Sequence, residues 1–281
     1  MFNLRYHIAS LVAVFLALAV GLLLGTVIVE RGVLDSQKAS LVSGLRTEFE
    51  SIRKENVQLR SDLQREQSFA GAVVTPLTAG KLTSETVVVI ANAGRTDGLQ
   101  DALDALKAAG ARTAVIAVAH RGLALDDPSV VEQVKPALGE LGKGEALGDR
   151  TAHVLAAEWR KVGPRPLTQA LLSSGQITID GFGPEAVADG AVLLESWDGK
   201  PDKMGLSLAA ALQDAGAHVV AAQAIKRDTG VAAAGANAGL DGVDHLGTPE
   251  GGVSLVWLLS GASTGYYGVG SDAESTFPKL R

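Results

Sequence analysis

Two hydrophobic patterns meet in the first seventy residues. Ile8 to Val29 contains no charged residue over 22 positions, enough for one helix to cross a hydrocarbon core. From Val42 the apolar positions change to 3-4 spacing: Val42, Leu45, Phe49, Ile52, Asn56, Leu59 and Leu63. Such a heptad stripe predicts a coiled coil. Beyond Pro76 the pattern changes again, to short apolar runs alternating with helix-patterned segments. Thr86 to Ala91 and Thr113 to Ala119 flank a helix over Gly98 to Ala109. Ala191 to Glu195 and His218 to Ala224 flank a second, over Leu206 to Ala215. Strands that are apolar throughout belong to a parallel sheet covered on both faces.

The chain therefore divides into a head and membrane anchor at 1–29, a stalk at 30–75 and an α/β domain at 80–281. The anchor follows a short polar head, Met1 to His7, whose firm positive charges are Arg5 and the terminal amine. Cleavage as a signal peptide at Ala17-Leu18-Ala19 would leave the apolar stretch Val20 to Val29 as the mature terminus. An uncleaved signal anchor is the better reading. The positive-inside bias puts Arg5 in the cytoplasm and exports the C-terminal domain, although Arg31 and Lys38 weaken the asymmetry. Ala9, Ala13, Ala17, Gly21 and Gly25 recur every fourth residue within the span. That ridge of small side chains lets two helix backbones approach closely.

In the stalk, Val42, Phe49, Asn56 and Leu63 take position a, and Leu45, Ile52 and Leu59 take d. A lone Asn at a fixes register at a cost in stability. Glu48 and Glu55 stand at g, Arg53 and Arg60 at e. In a parallel homodimer Glu48 faces Arg53 and Glu55 faces Arg60 of the second copy, each exposed pair contributing at most about 1 kcal/mol. The sign pattern sets orientation more than strength. Asp35 and Lys38 interrupt the repeat before Val42, which predicts a looser membrane-proximal helix, and Gly71 and Pro76 are expected to end the stalk.

In the remaining chain, Ala105 to Ala111 (ALKAAGA) and Ala211 to Ala217 (ALQDAGA) align at a constant offset. Gly110 and Gly216 fit the position where a helix turns into the next strand. Helical pieces are expected over Ser129 to Leu138, Thr151 to Arg160 and Pro249 to Leu259, with a short strand at Ile177 to Ile179. The fold class is α/β: a three-layer, doubly wound parallel sheet of Rossmann or flavodoxin-like type behind the anchor and stalk.

Composition narrows the chemistry. The 281 residues include no cysteine, so thiolate metal sites, disulfides and cysteine nucleophiles are excluded. A net charge of -6, with no basic stripe, argues against nucleic acid as a partner. The mean hydropathy of +0.21 follows from the span and the Ala/Val-rich strands. Ligands of such sheets bind at the carboxyl ends of strands, here Asn92 to Asp97, His120 to Gly122 and Ser196 to Lys200. No Gly-x-Gly-x-x-Gly, Walker A or Gly-x-Ser-x-Gly spacing occurs, and no resident cofactor is called for. Asp97 reads as a helix N-cap, Asp198 and Asp202 as turn-and-cap residues, and Asp126-Asp127-Pro128 as the turn opening a helix. Met204 and the histidines past the span, His120, His153, His218 and His245, are separate in sequence, and each histidine alone reads first as structural. His120 and Met204 are the speculative metal contacts, His120 because its strand ends at the crevice.

The segment Phe15 to Gly21, the stalk, the stretch Gly242-Val243-Asp244-His245-Leu246-Gly247-Thr248-Pro249-Glu250-Gly251 and the tail Tyr267-Gly268-Val269-Gly270-Ser271-Asp272-Ala273 resemble the mycobacterial copper transport protein B (MctB) family. The likeness covers nearly the whole chain. It implies an actinobacterial envelope protein that limits intracellular copper, in some accounts an outer-membrane channel, with copper ion as the transported or weakly bound species. The residues themselves favour an envelope location over a pore. Two functions stand beside each other: copper efflux or homeostasis through assembly or partners, and a dimeric scaffold whose coil binds another envelope coiled-coil protein, such as a cell-wall hydrolase or division factor. An enzyme is not expected, since no convergent site residues are visible.

Overall fold

The computed structural model describes the backbone of residues 4–94, 96–224 and 230–279, with side chains over the same residues apart from 4 and 27–36. Helix α1, Leu4–Thr78, is continuous over 75 residues. The chain forms two compact units, residues 1–66 and 67–281, taken separately below.

In the first unit, Arg5–Thr26 is the one helical stretch among the described residues long and apolar enough to cross a membrane. None of that stretch is buried within the protein, as expected where lipid rather than protein covers it. The backbone stays helical through Asp35 and Lys38; the side chains of residues 27–36 lie outside the described set. The stripe Val42, Leu45, Phe49, Ile52, Leu59 and Leu63 is exposed along the helix, Phe49 by 68%. Arg46 pairs with Glu50 one turn on, and Arg65 with Asp62, contacts along a single helix.

The second unit begins in the last turns of α1. The expected stop at Gly71 and Pro76 is corrected: the helix runs through both to Thr78. Pro76 lacks an N–H, but so near the end it removes one hydrogen bond and leaves the final turn intact, and Ala79 N–H still donates to the Thr75 carbonyl at 2.9 Å. Trp257 Nε1 donates to the Leu77 carbonyl at 3.1 Å, and Lys81 Nζ lies 4.3 Å from the Trp257 ring centroid.

The sheet strands are β1 (Thr86–Asn92), β2 (Arg112–Val118), β3 (Ile177–Asp180) and β4 (Gly190–Leu193). A hairpin follows, β5 (Ser196–Trp197) with β6 (Lys200–Pro201), and then β7 (His218–Ala224), β8 (Asp241–Leu246) and β9 (Tyr266–Tyr267). The seven strands of the main sheet lie in the order β3-β2-β1-β4-β7-β8-β9. All neighbours are parallel except β2 and β3. The expected all-parallel sheet is thus corrected at one edge. Helix α5 (Pro166–Ser173) hands the chain to Gln176 beside the carboxyl end of β2, where Ala119 N–H meets the Gln176 carbonyl at 2.9 Å. From there β3 has only the reverse direction open to it. The C-terminal tail also contributes β9.

Alternation along β1 explains the layers. Val88 and Ile90 face one buried cluster, Val87 and Val89 the other. The first cluster is covered by α3 (Pro128–Leu138), α4 (Leu147–Trp159), α5, α6 (Lys203–Asp214) and α7 (Val231–Asn237). The second is covered by α2 (Leu99–Ala108) and α8 (Pro249–Leu259). Strands buried on both faces need the continuous apolar runs seen in the sequence.

The two aligned segments close α2 and α6 by the same bonds. Gly110 N–H reaches the Lys107 carbonyl and Ala111 N–H that of Leu106; Gly216 and Ala217 reach Gln213 and Leu212. Both glycines are left-handed, at φ 86° and 88°, as this helix stop requires. Asp127 caps α3, its carboxylate accepting from Ser129 N–H at 2.8 Å, in agreement with the turn read at Asp126-Asp127-Pro128.

Candidate functional site

The order of strands reverses between β1 and β4, and ligands of open α/β sheets gather at the carboxyl edge beside such a point. Here that edge is built from Asn92 after β1, His120 to Ala124 after β2, and Glu195 to Asp202 after β4. Asn92 Oδ1 accepts Ser196 N–H at 3.0 Å, tying the ends of β1 and β4 together. Thr96 Oγ1 accepts Asn92 N–H at 3.1 Å, holding the turn that follows β1.

After β2 the backbone takes three left-handed residues in succession, Gly122, Leu123 and Ala124, with φ of 61°, 56° and 50°. For the two residues with a Cβ this costs roughly 1–2 kcal/mol each. The turn is held by Leu123, buried in the core, and by Asp202, whose Oδ2 accepts Gly122 N–H at 2.9 Å. Asp202 occupies the N-cap position of α6 but gives its carboxylate to this neighbouring turn and not to its own helix. Asp97 also departs from its expected role: the N-cap of α2 is Gly98, in a left-handed conformation, with no side-chain cap.

His120, expected at the crevice, is exposed at the end of β2. Its Nδ1 lies 3.1 Å from Gln176 Oε1, and Gln176 Nε2 donates to the Ser174 carbonyl at 3.0 Å. The amide is therefore oriented with its oxygen toward the imidazole, which makes Nδ1 the donor of that pair. Met204, the second proposed metal contact, is 7% exposed and packs within the core at the start of α6. Among the described residues no group of three or more His, Asp or Glu side chains is placed to hold a metal ion.

Glu195 was not singled out by its sequence, where it reads as the end of an apolar strand. It is 2% exposed, and its Oε1 accepts Trp197 Nε1–H at 2.8 Å. Burial, with the Asp202 carboxylate nearby, pushes its acid up to about 7 against the lowering effect of the Trp197 bond. Gly205 faces Oε2, and a methyl there would stand 2.8 Å from that oxygen. The hairpin carrying Trp197 is further held by Arg121, whose Nη2 reaches the Trp197 carbonyl at 3.4 Å and whose Nη1 lies 4.0 Å from Asp198. The retrospective signal is an acid closing an apolar run two residues before a tryptophan.

A cavity of about 790 Å³ opens at the same edge, beside the start of α2, lined by Gly94, Thr96 to Asp101, Ala224, Leu246 and Gly247. Two carboxylates, Asp97 and Asp101, stand in its wall, so its chemistry does not favour an anion. His153 lines a separate groove with Arg150 and Lys161. His218 is exposed, and His245 is fully buried.

The residues expected to mediate dimerisation are on α1. Ala13, Ala17, Gly21 and Gly25 are exposed, with open space where a Cβ on either glycine would stand. Val42, Leu45, Arg46, Phe49, Glu50 and Arg53 line a shallow groove. Asn56 Nδ2 donates to the Ile52 carbonyl of its own helix at 3.1 Å.

A model of the family described as "copper transport outer membrane protein, MctB" matches residues 1–278 of the chain. No curated protein and no solved structure matches it.

Proposed function

The chain belongs to the copper transport outer membrane protein (MctB) family, and from that premise we propose that it is a membrane-anchored envelope protein serving copper efflux or homeostasis through assembly or partners. The family's description is one of transport and not of catalysis. The observation that carries the emphasis on assembly is that Arg5–Thr26 is the single candidate span among the described residues. One helix cannot enclose an aqueous path, and the sheet does not replace it: its strands are four to seven residues where they are buried on both faces. A membrane barrel needs strands of about ten residues with alternating polarity.

In this reading the C-terminal α/β domain lies outside the cytoplasm. The chain pairs in parallel through the small-residue ridge at Ala13, Ala17, Gly21 and Gly25 and the stripe from Val42 to Leu63. Copper is cargo, met weakly at the sheet edge by His120, with the Met204 thioether as the softer contact.

Purified full-length protein in liposomes tests the transport step, together with the copper content of cells lacking the gene. Absence of flux by the protein alone, with raised copper in the deletion strain, supports action through partners. Flux by the protein alone overturns it, and reduced flux on His120→Ala would then assign a direct path.

A second reading is favoured by the exposed heptad stripe. A dimeric coil offers an extended surface to another envelope coiled-coil protein, and normal copper content with a cell-separation defect in the deletion strain supports that scaffold. In-cell crosslinking from Glu48 to Arg60 that captures only the self-dimer counts against it.

A further inference from the structure

Two carboxylates of β8 hold the C-terminal segment after α8 to the edge of the sheet: Asp241, which accepts Gly265 N–H at 2.6 Å, and Asp244. Asp244, on β8 and 5% exposed, accepts three hydrogen bonds from that segment. Tyr266 Oη–H donates to Oδ2 at 2.8 Å, Val269 N–H to Oδ1 at 2.8 Å and Gly270 N–H to Oδ2 at 2.9 Å. Gly268 passes so close that a methyl there would overlap the carboxylate. The loop then returns on itself, Gly268 N–H to the Ser275 carbonyl at 2.9 Å and Glu274 N–H to that of Tyr266 at 2.8 Å. Only β9 contacts β8 as a strand, with Gly242 opposite Tyr266 and Val243 opposite Tyr267.

The next residue on β8 is His245, 1% exposed, with neither ring nitrogen hydrogen-bonded. A buried polar group left without a partner costs about 1–3 kcal/mol and calls for an explanation. The groups that face the ring are Asp244 on its own strand, Glu250 from α8 and the backbone of Thr276 from the C-terminal segment. The nearest acceptor of known distance is Asp244 Oδ1, 3.7 Å from Nδ1. That is too long for a hydrogen bond, and it is the oxygen that takes Val269 N–H.

We propose that His245 and Asp244 form an acid-sensitive latch: protonation of the imidazole draws Asp244 away from Val269 and Gly270 and frees the loop at those two residues, while β9 stays paired with β8. The proton comes from solvent and binds the free ring nitrogen. The imidazolium N–H and Asp244 Oδ1 must then close by roughly 1 Å to reach an ordinary charge-assisted separation. The carboxylate cannot make that move and keep all three donors of the segment at bonding distance. Burial holds the imidazole below its ordinary range, against the raising effect of the Asp244 and Glu250 charges, so the latch is closed at neutral pH.

Amide hydrogen exchange of the full-length protein in detergent, corrected for the intrinsic pH dependence of exchange, reads the latch directly. As pH is lowered from neutral to below the ordinary histidine value of about 6.5, protection of the Val269 and Gly270 amides should fall about tenfold or more, the scale of one lost hydrogen bond. The midpoint should coincide with the NMR titration of the His245 ring. His245→Phe should stay protected across the range. Asp244→Asn, which puts an amide donor among backbone donors, should be unprotected throughout. Constant protection in the wild-type protein overturns the latch, as does a midpoint separate from that of the ring, or an unchanged pH dependence in His245→Phe. Should His245→Phe not fold, agreement or disagreement of the two wild-type midpoints decides.

Discussion

Glu195 is a residue whose ionisation bears on the stability of the domain near neutral pH. Its carboxyl is buried, and its acid stands near 7 in the folded chain against 4.5 as a free group. A raised acid binds its proton more tightly in the folded state, so the associated stability is present below pH 4.5 and is lost as pH rises through about 7. The full difference is at most about 3 kcal/mol. Glu195→Gln keeps an acceptor for Trp197 Nε1–H and cannot ionise; denaturant unfolding should find it equal to wild type at about pH 4 and more stable at about pH 8. Equal stability at both values would contradict the burial of a charge there. At Gly235, a methyl would stand 2.2 Å from the Ala221 side chain, because α7 lies almost on β7. Gly235→Ala should lower stability by about 1–3 kcal/mol, the usual cost of overpacking, seen as a lower midpoint in thermal unfolding.

Among the elements, α1 shows most clearly how one helix serves two environments. Its final turns belong to the folded domain, with Thr78 buried and the Leu77 carbonyl taking the Trp257 indole N–H. Trp257→Phe removes that bond and the Lys81 contact over the ring while keeping an aromatic, and should cost about 1–2 kcal/mol of domain stability in denaturant titrations. Upstream, the apolar stripe from Val42 to Leu63 is exposed. Asn56→Leu should stabilise the self-assembled coil while loosening its register or oligomer number, measured by light scattering and by thermal melting. Unchanged assembly and melting would contradict the heptad assignment. The elements of the α/β domain were legible because their stop signals are local: Gly110 and Gly216 end α2 and α6 by backbone bonds that involve only neighbours. The direction of β3 was not, since it follows from where α5 delivers the chain.

For the whole molecule, membership of a copper transport family and a single candidate span agree on a membrane setting. The orientation of that span is open to a direct test, helped by the absence of native cysteine. Lys143 is exposed, and Lys143→Cys should react with a membrane-impermeant maleimide in cells whose outer layers have been made permeable and whose inner membrane is intact. Labelling only after lysis would place the domain in the cytoplasm and remove the exported reading.

The sequence by itself determined the apolar span, the 3-4 spacing of apolar residues from Val42 to Leu63, the strand and helix runs and the α/β class. Each is a matter of periodicity or of bonds between near neighbours. The tertiary structure decided what depends on residues far apart in the chain. It turned Asp202 toward Gly122 and set the Gln176 amide oxygen against His120 Nδ1. It put Glu195 beyond reach of water and closed the tail loop on Asp244. Those pairs are 80, 56 and 22 to 26 residues apart where hydrogen bonds join them. Burial and partnership at such separations are properties of packing, and local pattern carries no record of them.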